Sequence, residues 1–236
     1  MFGYIQEILA DPKGVLLIFL LALPGRLLAI SAHEAAHAWV ANRCGDPTAR
    51  LMGRLTLNPF KHLDPVGVLM MLLLGIGWAK PVPVNPDNFR NYKRGCVWVS
   101  IAGVLTNIAL AILCCPIYLL IARKGFLMIN AEWAIYLNTL IYGFFYSLFY
   151  INVGLFVFNL LPVYPLDGFR LYDALTTNHG RVYYTLRKNG FYILIGIILL
   201  GYVADITGIW WLDFLPVITN YVAMPIIKLW GLILGL

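Results

Sequence analysis

The segment His33-Glu34-Ala35-Ala36-His37 places two imidazoles four residues apart, with a carboxylate directly after the first. On a helix, residues four positions apart lie on one face one turn apart, so both rings can reach a single metal ion. The Glu34 carboxylate can then reach a water molecule on that ion. This spacing predicts a helix that holds one Zn2+ ion for hydrolysis. Two histidines that only form hydrogen bonds to neighbouring helices would give the same sequence pattern.

The helix that carries this segment belongs to a very apolar chain. Of the 236 residues, 61% are hydrophobic and 12% are charged, and the mean hydropathy is +0.80, whereas soluble domains are about half apolar. We therefore expect the chain to lie in a lipid bilayer. An ionisable group at the centre of a bilayer costs about 2.5 to 3.5 kcal/mol or more on insertion scales, so His33, Glu34 and His37 favour a functional site over a purely structural scaffold.

A catalytic zinc ion takes three protein ligands and keeps one position for water, so the two histidines need a third partner. The candidates are His62, His179 and the few acidic residues. Asp167 stands out because it follows an apolar helix in the segment Asn159-Leu-Leu-Pro-Val-Tyr-Pro-Leu-Asp-Gly168, where prolines end the helix on the same side as His37. An Asp-Gly turn here can aim the carboxylate at the histidines, although such a turn is also ordinary at a membrane surface. We expect His62 at the surface and His179 in a loop.

Five apolar segments are long enough to cross a hydrocarbon core of about 30 Å as helices. They cover about residues 15–41, 95–122, 133–161, 191–209 and 214–236. This pattern predicts an all-α, polytopic helical bundle with about five spanning helices, in a single domain over residues 1–236. Between the first two helices lies a polar region, 42–94, whose apolar stretch 66–78 is too short to span. A re-entrant or interfacial hairpin is the better interpretation of that stretch.

Basic residues are concentrated on one side of this predicted topology. The region 42–94 holds eight of them, the loop at 164–188 holds four more, and the opposite loops are poorer in Lys and Arg. The positive-inside rule places the basic side in the cytoplasm. We therefore expect a multi-pass protein of the cell membrane with its active site toward the cytoplasmic side. Because the same rule accounts for the net charge of +6, nucleic acid is not an expected partner.

Two further features could contact a substrate. The stretch from Lys80 to Pro86 is predicted to be extended, because each proline disfavours helix at itself and at the preceding residue. Val82 and Val84 would offer an edge for strand addition by an unwound substrate, unless the stretch is an interfacial loop that contacts no substrate. The amides of Asn107 and Asn159 could bind an oxyanion or the substrate backbone, or they could only bridge helices through hydrogen bonds.

The two metal motifs resemble those of the site-2 protease family of intramembrane zinc metalloproteases. The segments between them resemble the compact prokaryotic members of that family, which lack PDZ and CBS domains, so that the similarity covers at least residues 31–168. These segments are Gly45-Asp-Pro-Thr48, Gly53-Arg-Leu-Thr-Leu-Asn-Pro59, His62-Leu-Asp-Pro-Val-Gly67 and Lys80-Pro-Val-Pro-Val-Asn-Pro86. One departure is Val104, where the family usually has proline, and it predicts a less kinked helix start.

The resemblance implies that His33, His37 and Asp167 hold one Zn2+ ion and that Glu34 is the general base. It also implies a substrate class, namely transmembrane proteins that are cleaved in or near their membrane segments, within the lipid bilayer. The alternatives are a metal-binding membrane carrier and a catalytically inactive protein that binds clients. The intact Glu34 argues against the inactive protein.

Overall fold

The computed structural model describes residues 11–74, 77–125, 132–177 and 179–236, and within these ranges the regular secondary structure is helical. The α-helices are α1 Pro12–Cys44, α2 Thr48–Leu51, α3 Pro65–Leu74, α4 Tyr92–Lys124, α5 Glu132–Asn159, α6 Asp167–Leu175, α7 Arg181–Thr207 and α8 Phe214–Leu234. Short 3₁₀ turns lie at Pro59–Lys61, Pro86–Asn88 and Trp210–Leu212. The predicted all-α fold is confirmed.

Four of the described helices are long and apolar enough to cross a membrane, namely α4, α5 from Trp133 onward, α7 and α8. Large apolar side chains on these helices are exposed, with Leu113 at 64% and Leu232 at 82%, as surfaces that face lipid require. The chain is therefore a multi-pass membrane protein. The predicted span at 15–41 lies within α1, but the side chains of residues 14–19 lie outside the described residues. That fifth span stays a prediction.

The structure corrects two details of the predicted helices. Helix α7 begins at Arg181 and not near residue 191, because the basic stretch before the apolar run contains no proline and continues the helix. Asp167 is the first residue of helix α6, with Leu166 as its N-cap, and does not lie in an isolated Asp-Gly turn. A helix start holds the carboxylate more rigidly than a turn would.

Helices α1, α4 and α5 pack against one another, with α6 against α4 and with α8 against α4 and α5. Small buried residues at these contacts, such as Ala29, Ala111 and Ala223, allow helix backbones to approach closely. Cys114 and Cys115 lie in the same core, as small buried residues. The contacts of α1 with α4 and α5 determine which way the histidine-bearing face of α1 is turned.

The polar region 42–94 folds back against α1 and contains helix α3. Leu63 and Ala79 form an isolated antiparallel bridge, so the two ends of the short apolar stretch meet; residues 75–76 lie outside the described residues. His62 is fully buried, and the prediction of a surface histidine is wrong. The reason is local: its Nε2 donates to the carbonyl of Thr56 at 2.8 Å, so the loop wraps around the ring.

The extended segment Lys80–Pro86 is anchored at both of its ends. The Arg54 guanidinium donates to the carbonyls of Lys80 and Pro81 at 2.5 and 3.3 Å. At the other end, the buried Asp46 carboxylate accepts from the Asn85 amide at 2.7 Å and from the Asn88 side chain at 2.8 Å. Burial opposes the ionisation of Asp46, but these hydrogen bonds lower its pKa below the ordinary value. Asp46 therefore ties the loop after α1 to the extended segment.

Replacing Asp46 with alanine should free the extended segment, because several donors lose one charged acceptor. We expect a loss of about 2 to 3 kcal/mol in unfolding free energy and faster hydrogen exchange at the Asn85 amide. Asp87→Ala, at an exposed carboxylate on the neighbouring 3₁₀ turn, is the matched control. Because the folded pKa of Asp46 is lowered, the wild-type contribution should persist above the unfolded pKa and be lost only as pH falls through the folded one. Unchanged exchange in Asp46→Ala would contradict this role.

Candidate metal centre

His33 and His37 on α1 and Asp167 at the start of α6 each bring one ligand atom to a single point. The two Nε2 atoms are 3.0 Å apart, and Asp167 Oδ2 lies 3.1 Å from His33 Nε2 and 3.0 Å from His37 Nε2. All three side chains are buried, and together they could hold a metal ion. The fold thus brings together two residues of α1 and one residue that follows them by 130 positions or more in the sequence.

The chemistry of this trio fits a divalent cation. Asp167 Oδ2 is buried without a hydrogen-bond partner among the described residues, and lone pairs this close repel one another unless positive charge lies between them. Two imidazoles and a carboxylate form a donor set found in catalytic zinc sites, where ligand atoms are roughly 3.4 Å apart. The site therefore needs only a slight expansion to take zinc.

A relay of side-chain amides fixes the tautomer of His33. The backbone carbonyl of Leu148 accepts from Asn152 Nδ2 at 2.8 Å, which turns Asn152 Oδ1 toward Asn107 Nδ2, also at 2.8 Å. Asn107 Oδ1 is then left to accept from His33 Nδ1 at 2.6 Å. Because a carbonyl oxygen can only accept, His33 carries its proton on Nδ1, and its Nε2 lone pair is free for a metal.

Helix α4 orients His37 and makes room for both rings. The Val99 carbonyl accepts from His37 Nδ1 at 2.7 Å, so this ring also presents a bare Nε2. One turn later, Gly103 faces the pair: a Cβ there would lie 2.5 Å from His33 Cε1 and 2.5 Å from His37 Nε2. Only glycine allows α4 to pass this close.

Glu34 faces a cavity of about 110 Å³ that also contains the three candidate ligands, large enough for several water molecules. Its Oε2 accepts a hydrogen bond from the Val82 amide at 2.9 Å. That bond brings the extended segment against the metal centre. Val82 and Pro81 form one wall of the cavity, and Asn159 and Arg170 lie on others.

The other predicted site residues have different positions. Asn159 lines the cavity, with its Nδ2 donating to the Leu155 carbonyl at 3.1 Å. Asn107 is fully buried with both amide atoms engaged, so the helix-bridging alternative describes it and the oxyanion role does not. His179 lies between α6 and α7, in the predicted loop.

Sequence reasoning missed Asn152, Gly103 and Arg170. Asn152 is a polar residue inside an apolar helix, which is a usable signal. The role of Gly103 depends on which helix passes behind the histidines, and no local pattern reveals that. Arg170 follows Asp167 by one turn, and its Nη1 lies 3.9 Å from Asp167 Oδ1.

Comparisons with known proteins find a family model and relatives of this chain. The model of peptidase family M50 matches residues 19–203. YwhC of Bacillus subtilis (strain 168), which carries the provisional name of a zinc metalloprotease, is 43% identical over 149 residues, covering 63% of this chain and 66% of YwhC. Rip2 of Mycolicibacterium smegmatis (strain ATCC 700084 / mc(2)155), with the same kind of provisional name, is 29% identical over 202 residues, covering 82% of this chain and 73% of Rip2. No solved structure matches the chain at a significant level.

The amide relay predicts weaker metal binding when either asparagine is removed. In Asn107→Leu, His33 loses the acceptor that fixes its tautomer, and we expect zinc affinity to fall about 10- to 100-fold, as for other groups that orient metal ligands. Asn152→Leu should weaken binding in the same direction, because Asn107 is then free to rotate its amide. Competition with a chelator measures both affinities. Wild-type affinity in both variants would show that the relay does not orient His33.

Gly103→Ala should displace the histidine rings and abolish stoichiometric zinc binding, since the added Cβ overlaps atoms of both rings. Gly154→Ala is the matched control, because a Cβ at Gly154 on α5 meets nothing within 4 Å. Zinc content of the two purified variants is the measurement. Full zinc occupancy in Gly103→Ala would contradict the close approach of α4.

Proposed function

The chain belongs to peptidase family M50, the site-2 protease family, and on that premise we propose that it is an intramembrane zinc metalloprotease. Its reaction would be hydrolysis of a peptide bond in or near a transmembrane segment of another membrane protein. The observation that carries this proposal is the convergence of the buried His33, His37 and Asp167 beside Glu34 around one cavity. A purely structural membrane protein would not need these four ionisable residues at one place.

The zinc ion would be held by Nε2 of His33, Nε2 of His37 and Oδ2 of Asp167. When bound, zinc polarises the scissile carbonyl and lowers the pKa of a coordinated water to about 7. The bonds to Asn107 and Val99 direct the Nδ1 proton of each imidazole away from the metal position and hold both rings in place. Asn159 remains a candidate for contact with the substrate amide, since it lines the same cavity.

Glu34 is proposed as the general base, which takes a proton from water and passes it to the leaving amine. Two observations support this role: its carboxylate faces the metal cavity, and Oε2 is held by the Val82 amide. With Oε2 anchored, the other carboxylate oxygen has no hydrogen bond to a described residue. That oxygen can receive the proton.

The extended segment Lys80–Pro86 is proposed as the edge that receives an unwound substrate. Within the described residues, the Val84 amide and carbonyl have no hydrogen-bond partner. Residues two apart in an extended chain present their backbone groups to the same side, and the Val82 amide faces Glu34. A substrate strand paired at Val84 would therefore run past the metal centre.

The active site is proposed to lie toward the cytoplasmic side of the cell membrane. This orientation rests on the positive-inside rule. His37 lies in the last third of α1, and Asp167 follows the end of α5, so the two ligands lie at helix ends of the same side. The basic region 42–94 joins α1 to α4 on that side.

Glu34→Gln and Asp167→Ala separate catalysis from metal binding. The glutamine side chain would keep an oxygen for the Val82 amide but could not accept the proton, so zinc should stay stoichiometric while cleavage of a transmembrane model substrate falls about 10²- to 10⁴-fold. Asp167→Ala should lose both zinc and cleavage, and Asp87→Ala, at an exposed carboxylate, should lose neither. Zinc is counted in detergent-purified protein.

Two outcomes would reject parts of this proposal. Wild-type cleavage in Glu34→Gln would reject the general base, and stoichiometric zinc in Asp167→Ala would reject the third ligand. A carrier would instead move zinc across proteoliposome membranes and cleave nothing.

A further inference from the structure

A second cavity, of about 780 Å³, adjoins the metal cavity and shares Pro81, Val82 and Arg170 with it. Its floor is the extended segment 81–86, one wall is the start of α4, residues 92–100, and the other wall is α6 with the loop that follows it. The extended segment thus runs from the metal centre along the floor of this second cavity. We call this cavity the basic groove, after Lys93 and Arg170 on its walls.

The charges on these walls are mainly positive. Lys93 is exposed at the start of α4, with no hydrogen bond or ion pair to another described residue, and the Arg170 side chain is 47% exposed. The one carboxylate in the lining, Asp173, already accepts from the Tyr183 hydroxyl at 2.6 Å and lies 3.4 Å from His179 Nε2. Two basic side chains thus line the groove against one carboxylate that already has partners.

The floor of the groove suits an extended polypeptide. Val82 and Val84 on the floor, and Phe89 and Val99 beside it, are apolar, and the free backbone groups of Val84 lie along the floor. Six residues in extended conformation span roughly 20 Å, so a paired strand would place several of its residues in the groove when one peptide bond lies at the metal centre. A small ligand would not need such length.

We propose that the basic groove binds the part of the substrate that flanks the scissile bond, as an extended chain, and selects an acidic residue there through Lys93 and Arg170. This inference rests on the proposed function, because it takes the metal cavity as the place of cleavage. Continuity of the two cavities along one extended segment supports a polypeptide ligand. The unpaired Lys93, and the half-exposed Arg170 beyond its 3.9 Å contact with Asp167, support its negative charge. Arg170, which lines both cavities, would contact the residue nearer to the cleaved bond, and Lys93 a more distant one.

The test measures binding without cleavage. In full-length Glu34→Gln protein, fluorescence anisotropy gives the affinity of labelled single-span peptides that carry either aspartates or lysines on one flank, with each flank tested separately. We expect one aspartate flank to bind about tenfold more tightly than its lysine counterpart, at about threefold for each exposed ion pair. Lys93→Glu alone should abolish this preference, because one attractive and one repulsive side chain then cancel, and Lys93→Glu with Arg170→Glu should reverse it.

The matched control reverses two basic residues outside the groove. Arg50 and Arg181 are exposed, and neither lines the cavity, so Arg50→Glu with Arg181→Glu should keep the aspartate preference. Zinc content is measured in every variant, because Arg170 lies near Asp167. Lys93 is remote from the candidate metal ligands, so the effect of Lys93→Glu on the aspartate preference does not depend on the metal.

Three results would overturn the inference: equal affinity for both flanks, an equal change in the control variant, or loss of anionic lipid from Lys93→Glu in nanodiscs with peptide preference unchanged. The last result would assign the groove to a lipid headgroup. Failure of the proposed function would give a different result. If the wild-type protein cleaves no peptide but Glu34→Gln keeps the aspartate preference, the chain is not a protease and the groove still binds peptides.

Discussion

The lone pairs of His33, His37 and Asp167 point at one another across about 3 Å in a buried part of an apolar chain. Such an arrangement is unfavourable without positive charge among them, and it persists only because the surrounding structure holds each group. Asn107 and the Val99 carbonyl hold the rings, and the start of α6 holds the carboxylate. The rest of the site depends on this enforced convergence.

The enforcing contacts come from the helix bundle itself. The relay from His33 ends on a backbone carbonyl of α5, so packing of α1, α4 and α5 is coupled to the tautomer of a ligand. The absence of a side chain at Gly103 permits the same packing. A mutation in the helix contacts can therefore change metal binding without touching a ligand.

The region between α1 and α4 has a separate task, which is to bring an extended backbone to the metal centre. Arg54 and Asp46 anchor its ends, and Glu34 accepts from its middle at Val82. Glu34 is thus in contact with both the metal cavity and the proposed substrate edge. With this arrangement, a substrate strand would bind at the place where Glu34 accepts the proton from water.

Local patterns in the sequence predict the helical fold, the histidine pair, the end of α5 before Pro162 and the extended segment, because each depends on spacing or on proline within a few residues. Asp167 required topology and family likeness in addition. The burial of His62, the role of Asn107 and the start of α7 could not be predicted, since they depend on contacts between distant parts of the chain or on helix continuing past its apolar run. The hydrogen bonds of the Asn152 relay also depend on such distant contacts, although a polar residue inside an apolar helix marks Asn152 itself.

The most direct test of the central claim is X-ray absorption at the zinc edge of the purified wild-type protein. The structure predicts a first shell of nitrogen and oxygen only, at about 2.0 to 2.2 Å, with outer-shell scattering from two imidazole rings. A sulfur shell near 2.3 Å, or scattering from three rings, would contradict the assignment of His33, His37 and Asp167 as the ligands.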